Sequence, residues 1–302
     1  MPMKNSEIAE FVTATIVNGL SEGVVPWQQG WVGSSMSPRS LSTRKYYQGF
    51  NAVSLGYVAA VNGYESNVWG TFNQIKERGG KVRKGEKASY AIFFKMLEVD
   101  HDESDDTVRK IPMLRYYKVF NMDQTEGVKL PRSLEPVKTK GRKVAVLKGV
   151  EAVQAEYADA PKLIHRKQGR AFYDMKKDQI TLPTREQFKS GGEYAATLFH
   201  EYIHSTGHES RLDRLVPAEF GCETYAQEEL VAEIGAVMLA HRQNMKINWK
   251  NSEAYVGGWL KALKDEPMML VKASNAAAKA VTHILGDVNE DIVEDAEEMV
   301  AA

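Results

Sequence analysis

The stretch Tyr194-Ala195-Ala196-Thr197-Leu198-Phe199-His200-Glu201-Tyr202-Ile203-His204 decides how this chain is read. It is mostly apolar and free of Gly and Pro, so it predicts a helix of 3.6 residues per turn. His200 and His204 then project from one face and can bind a single metal ion. Glu201 lies on the neighbouring angle, placed to hold a water at that ion and take its proton. A helix this apolar is expected to be buried, where unpaired charge is costly, so an incidental surface pair of histidines fits poorly. The reading is a metal site of the His-Glu-x-x-His kind.

Two imidazoles leave a tetrahedral ion short of one protein ligand. A metzincin pattern would place it six residues after His204, but that position is Ser210, a poor ligand, although Gly207 falls where that pattern has glycine. His208 is nearer but follows the glycine, and is read as a loop residue or one supporting the ligands. The next predicted helix, 225–241, offers better candidates. Glu229 and Glu233 are four apart and share a face that continues through Ala236 and Ala240, small residues that would let the two helices approach. Glu229 is assigned as third ligand and Glu233 as a carboxylate orienting an imidazole, with Glu228 facing away. Zinc is the expected ion, about one per chain, with manganese or cobalt also compatible with two imidazoles and a carboxylate. Hydrolysis of an amide carbonyl at a zincin-type site, with Glu201 as the base, is the expected chemistry. Upstream, 172–175 and 179–182 read as a short hairpin. Its second strand could pair with an extended peptide at the cleft or serve as ordinary core.

Towards the N-terminus the composition changes. The whole chain has 302 residues and a net charge of −1, yet residues 1–150 carry +7 and residues 151–302 carry −8. The total excludes a uniformly basic coat protein and an acidic mimic of the DNA backbone. Six Lys/Arg against Glu135 alone mark 131–148 as a basic linker between domains 1–130 and 149–302. Residues 1–130 read as a helix from Asn5, helices near 51–61 and 71–78, and β-rich runs at 90–99 and 114–122 around an acidic hairpin loop, 100–106. Aromatic and basic residues interleave there. Trp27, Trp31 and Tyr46 lie in loop-rich sequence with Arg44, Lys45, Lys81, Arg83 and Lys84, the pairing that single-stranded nucleic acid needs for stacking and phosphate contact. Trp69 reads equally as core. The single cysteine, Cys222, excludes an internal disulfide framework and a multi-Cys zinc site. No apolar run approaches a membrane span, and nothing at the N-terminus reads as a signal peptide, so a cytoplasmic location is expected. Helices are expected at 252–263 and 267–285, then a solvated acidic tail from Asp287.

The run from Thr197 to Arg214, followed by Tyr225-Ala226-Gln227-Glu228-Glu229-Leu230-Val231-Ala232-Glu233, resembles the ArdC antirestriction proteins. So do Tyr46-Tyr47-Gln48-Gly49-Phe50-Asn51, Trp69-Gly70-Thr71-Phe72-Asn73-Gln74, Gly79-Gly80-Lys81-Val82-Arg83-Lys84-Gly85-Glu86 and Val119-Phe120-Asn121-Met122-Asp123-Gln124-Thr125-Glu126-Gly127. The resemblance implies an α+β chain of two domains: a small-sheet N-terminal domain that binds single-stranded DNA and a mostly helical zincin-like domain with a short sheet. It implies a plasmid-borne protein that shields incoming DNA from host restriction during conjugation, with a restriction-system protein as a candidate partner. A zincin domain kept only as a structural or protein-binding scaffold is the alternative.

Overall fold

The computed structural model describes residues 5–22, 25, 38–99, 109–134, 146–217, 222–243, 245, 247 and 253–286. Trp27, Trp31, the acidic segment 100–106, residues 135–145 of the basic stretch and the tail 287–302 lie outside the described residues.

The first half is α+β. Helix α1 (Asn5–Ser21) is followed by β1 (Arg39–Ser40), α2 (Gly49–Asn62), β2 (Val68–Thr71), α3 (Phe72–Glu77) and β3 (Lys81–Val82). Two long strands, β4 (Ser89–Val99) and β5 (Arg109–Asn121), then lead to β6 (Thr125–Glu126). One sheet has the order β1-β2-β5-β4, and β3 pairs separately with β6. Local chemistry sets the ends of these elements. Gly63 takes the left-handed conformation that stops α2. Thr71 and Gln74 form a reciprocal capping box that starts α3 directly from the end of β2. Asn51 on α2 bonds both backbone groups of Ile92, at 2.8 and 2.7 Å, and so satisfies the outer edge of β4. Trp69 is fully buried with Leu55, Ala91 and Val119, so it is core.

The second half opens with α4 (Val146–Glu156) and a three-stranded sheet of β7 (Lys162–Arg166), β8 (Phe172–Asp174) and β9 (Gln179–Pro183) in the order β7-β9-β8. Helices α5 (Gly191–Thr206), α6 (Glu223–Arg242), α7 (Glu253–Asp265) and α8 (Met268–Leu285) follow. Ser190 caps α5 by accepting from the Glu193 N–H at 3.2 Å, and the lone Cys222 caps α6 through Sγ.

The two halves share a core. Ile8, Val12 and Ile16 of α1 and Phe50 and Val53 of α2 belong to the same apolar cluster as Leu198, Val237, Trp259 and Ala277. The stretch read as a linker is structured at both ends. Residues Arg132–Leu134 form a 3-10 turn that buries Leu134 against Leu41, Val68 and Ile75, and α4 begins at Val146.

Candidate metal centre

The site is built where α5 and α6 cross. Residues Leu198, Phe199, Tyr202 and Ile203 of α5 are buried against Leu230, Ile234 and Val237 of α6. Gly235 permits the approach, since a Cβ there would lie 2.7 Å from Ile203 Cδ1. Ala236 and Ala240 are also buried, but Gly235 is where Ile203 meets the α6 backbone.

The crossing brings His200, His204 and Glu229 together, with one ligand atom from each inside a 4.8 Å span. The two Nε2 atoms are 3.1 Å apart. Glu229 Oε2 lies 3.6 Å from His200 Nε2, and Oε1 lies 3.5 Å from His204 Nε2. Tetrahedral ligands about 2.0–2.1 Å from one ion are separated by about 3.3–3.4 Å, so the two Nε2 atoms with the Glu229 carboxylate fit a single divalent cation. Burial alone would lower the pKa values of both imidazoles. Contact with Glu229, and for His204 also with Glu228, outweighs it and raises both, His204 to about 10. Glu229 is held below the ordinary carboxylate range, its burial outweighed by the two imidazoles. Glu201 is buried and lines the same open cleft as His200, His204 and Glu229.

Of the supporting groups, Glu228 and His208 sit differently from expectation. Glu233 lies beside His200, with Oε1 3.9 Å from Nδ1. Glu228, expected to face away, accepts from His204 Nδ1 at 3.0 Å. The two nitrogens of one imidazole point in diverging directions, so carboxylates about 100° apart on one helix can meet both. Arg214 then grips Glu228 with two bonds, Nε to Oε2 at 2.8 Å and Nη2 to Oε1 at 2.9 Å, and also donates to the Ile203 carbonyl at 3.0 Å. Burial would raise the Glu228 pKa, but Arg214 and His204 hold it below the usual carboxylate value. Gly207 leaves room for this loop, because a Cβ there would meet Leu215 at 2.7 Å and the Arg214 guanidinium at 3.1 Å. His208, read as a residue supporting the ligands, instead places Nδ1 on Ser210 Oγ at 2.8 Å and does not line the cleft.

The hairpin forms as read, and of the two roles open to its second strand the structure shows the core one. Strand β9 is central, bonded to β7 on one side and β8 on the other, so neither edge can receive a peptide. Phe172 and Tyr173 of the outer strand β8 line the cleft. Arg211 locks that hairpin to the loop after α5 through Asp178, the Tyr173 hydroxyl (3.2 Å) and the Ser205 carbonyl (2.8 Å).

The described N-terminal candidates lie on two turns. Arg44, in a left-handed conformation, Lys45 and Tyr46 follow β1, where Tyr46 is 41% exposed. Arg39 covers one face of the Tyr46 ring at 4.9 Å and donates to the Arg44 carbonyl. Lys81, Arg83 and Lys84 are exposed on β3 and the turn after it, with Lys81 paired to Glu126 and Arg83 to Glu86. Among the described residues, no helix is long and apolar enough to cross a membrane.

Comparison with known proteins follows the same division. Residues 6–120 match the N-terminal domain of anti-restriction factor ArdC, and residues 151–276 match a zincin-like metallopeptidase family. A DNA primase TraC of Escherichia coli is 34% identical over 297 residues, 91% of this chain but only 20% of the primase. The metal-free crystal structure of the antirestriction ArdC protein from plasmid R388 superposes with a TM-score of 0.73 at 35% identity, covering 92% of this chain and 96% of that one. The Mn(II)-bound structure of that protein gives 0.75 at 34% identity, covering 94% and 99%. The two family matches in this order and the near-complete mutual coverage show that the chain belongs to the ArdC antirestriction family.

Proposed function

We propose that this protein binds single-stranded DNA through its N-terminal half and protects incoming plasmid DNA from host restriction, with a zinc-dependent peptidase site in its C-terminal half. One observation carries the reading. A three-ligand cradle and a buried glutamate line one open cleft, in a chain whose other half matches the ArdC N-terminal domain.

His200, His204 and Glu229 would hold the ion, and zinc suits two imidazoles and a carboxylate at this spacing. Bound there, zinc supplies Lewis acidity and a more acidic water. Glu201, on the turn between the two histidines, would position that water and accept its proton. Glu228 holds the His204 ring from its Nδ1 side, and Glu233 lies beside Nδ1 of His200. The outer strand β8 offers unpaired backbone groups on its free side to an extended peptide, with Phe172 and Tyr173 facing the cleft. A host restriction-system protein is the substrate class that an antirestriction role suggests. In the N-terminal half, the exposed Tyr46 with Arg44 and Lys45, and the exposed turn carrying Lys81, Arg83 and Lys84, supply ring and cation contacts for a strand.

A conjugation assay into a restricting recipient tests the whole reading. Wild-type protein should protect the incoming DNA, and Glu201→Gln, with metal content unchanged, should not. Full protection by Glu201→Gln would show that hydrolysis is not the mechanism and leave the metal domain as a scaffold.

A further inference from the structure

A second cavity lies away from the metal centre, between the start of α2 and the helices α6 and α8. It offers about 40 Å³ to the centres of water-sized molecules, about three times the minimum for one water, so it is a narrow slot. Its walls are aliphatic, with Val53 from the N-terminal half and Val237 and Val281 from the C-terminal half all buried. Gln48, His241 and Thr282 place polar groups among these walls, and the ring of Tyr46 stands at one side.

Charge separates this cavity from the metal cleft. Among the described residues the cleft is lined by Glu201, Glu228 and Glu229 together with Arg214 and Lys272, a mixed set built around the metal ligands. Among the described residues no carboxylate lines the second cavity, while Arg242 does, and Arg44 and Lys45 directly precede Tyr46 in the chain. The guanidinium of Arg39 over the Tyr46 ring adds a further cation at that wall. Apolar walls fit for a flat ring, polar groups for its edge and cations for an attached anion together describe a nucleotide. A peptide side chain would use the walls and leave the rest without purpose.

We infer that this cavity takes one unstacked base of a bound DNA single strand, whose sugar-phosphate chain runs past Arg39, Arg44 and Lys45. The inference rests on the proposed strand binding and adds that the C-terminal helices share in it. His241 lines the cavity as a neutral ring at neutral pH, because burial lowers its pKa to about 4. The site is distinct from the metal centre. His241 is twelve residues beyond Glu229 on α6, about 18 Å along the helix.

The test measures binding of the full-length protein to an oligothymidylate and to an oligomer of the same length made of abasic sites. Ala278, half-buried on the cavity wall, is changed to Phe to fill it. Ala278→Phe should weaken thymidylate binding by about tenfold, within the range for loss of one stacked base, and leave abasic binding unchanged. His241→Phe, which keeps the ring shape but removes the polar edge, should also weaken thymidylate binding alone. Metal content equal to wild type certifies that each variant is folded. In the wild-type complex, a 2-aminopurine scanned along the strand should be shielded from acrylamide quenching at one position, and Ala278→Phe should abolish that protection. Equal thymidylate affinity in wild type and both variants overturns the base site while strand binding stands. Failure of the wild type to bind any single strand removes both.

Discussion

His204 Nδ1 donates to Glu228 Oε1 across 3.0 Å, and this bond fixes which nitrogen of the ring faces the metal cradle. With Nδ1 committed to Glu228, a divalent ion would take the place of the Nε2 proton that the metal-free ring holds at neutral pH. Arg214 completes the arrangement by holding Glu228 ionised and immobile through its two-pronged contact. Glu228→Ala is therefore expected to weaken metal binding by about 10- to 100-fold without removing a ligand. Glu228→Gln, which retains an acceptor oxygen, should lose less. Competition against a chromophoric chelator gives the affinities, and a Glu228→Ala affinity equal to wild type would refute the assignment.

Removing a ligand should differ in kind from removing the base. His204→Ala is expected to abolish stoichiometric metal after dialysis. Glu201→Gln should retain about one ion per chain, because Glu201 is outside the ligand group. Elemental analysis of both variants checks this. Equal metal content in His204→Ala and wild type would sink the site.

The motif helix and its i, i+4 histidines were legible because spacing along one helix fixes which side chains share a face. Glu229 followed from the need for a third donor. Glu228 did not, because reading α6 alone puts adjacent residues on different faces and ignores that an imidazole has two nitrogens to satisfy. Arg214 was hidden because its position depends on a loop that folds back over Gly207. Strand β5 starts at Arg109, earlier than the apolar run at 114 suggests. Pro112 lies in it beyond the β2 pairing at residues 119–121, where no inner ladder bond from its nitrogen is needed. Helix α4 and strand β7 went unread because one begins behind a basic run and the other, Lys162–Arg166, has charged ends. The charge boundary near residue 150 also concealed the shared core, which apolar residues of α1 and α2 build with the C-terminal helices.

Gly235 offers a test of how closely the ligand-bearing helices must pack. Alanine is the better helix former by about 1 kcal/mol. Its Cβ, however, would meet Ile203 Cδ1, Cγ1 and Cγ2 at 2.7, 2.8 and 3.0 Å. All three atoms belong to one fully buried β-branched side chain that cannot turn aside freely. Overpacking of about 1–3 kcal/mol should win. Gly235→Ala is expected to lower the melting temperature and the metal affinity together, and Gly235→Ala/Ile203→Ala should be less unstable than the sum of the single changes. A melting temperature at or above wild type for Gly235→Ala would show that the crossing can relax.

His241 makes stability depend on pH in a defined window. Burial lowers its pKa in the folded protein to about 4, whereas the unfolded chain has the ordinary value near 6.5. Above pH 6.5 the ring is neutral in both states and contributes no slope. Between about 6.5 and 4 the unfolded chain takes up a proton that the folded protein refuses, so falling pH favours unfolding. Below about 4 both states are charged and the slope ends. The loss across the window is on the order of 3 kcal/mol. Substituting Phe, which does not titrate, removes this term and leaves every other titrating group in place. Urea unfolding of metal-free wild type and His241→Phe at pH 7.0, 5.5 and 4.5 isolates it. The stability difference between the two proteins should move in favour of His241→Phe as pH falls. A difference independent of pH would mean that the ring stays accessible to protons in the folded state.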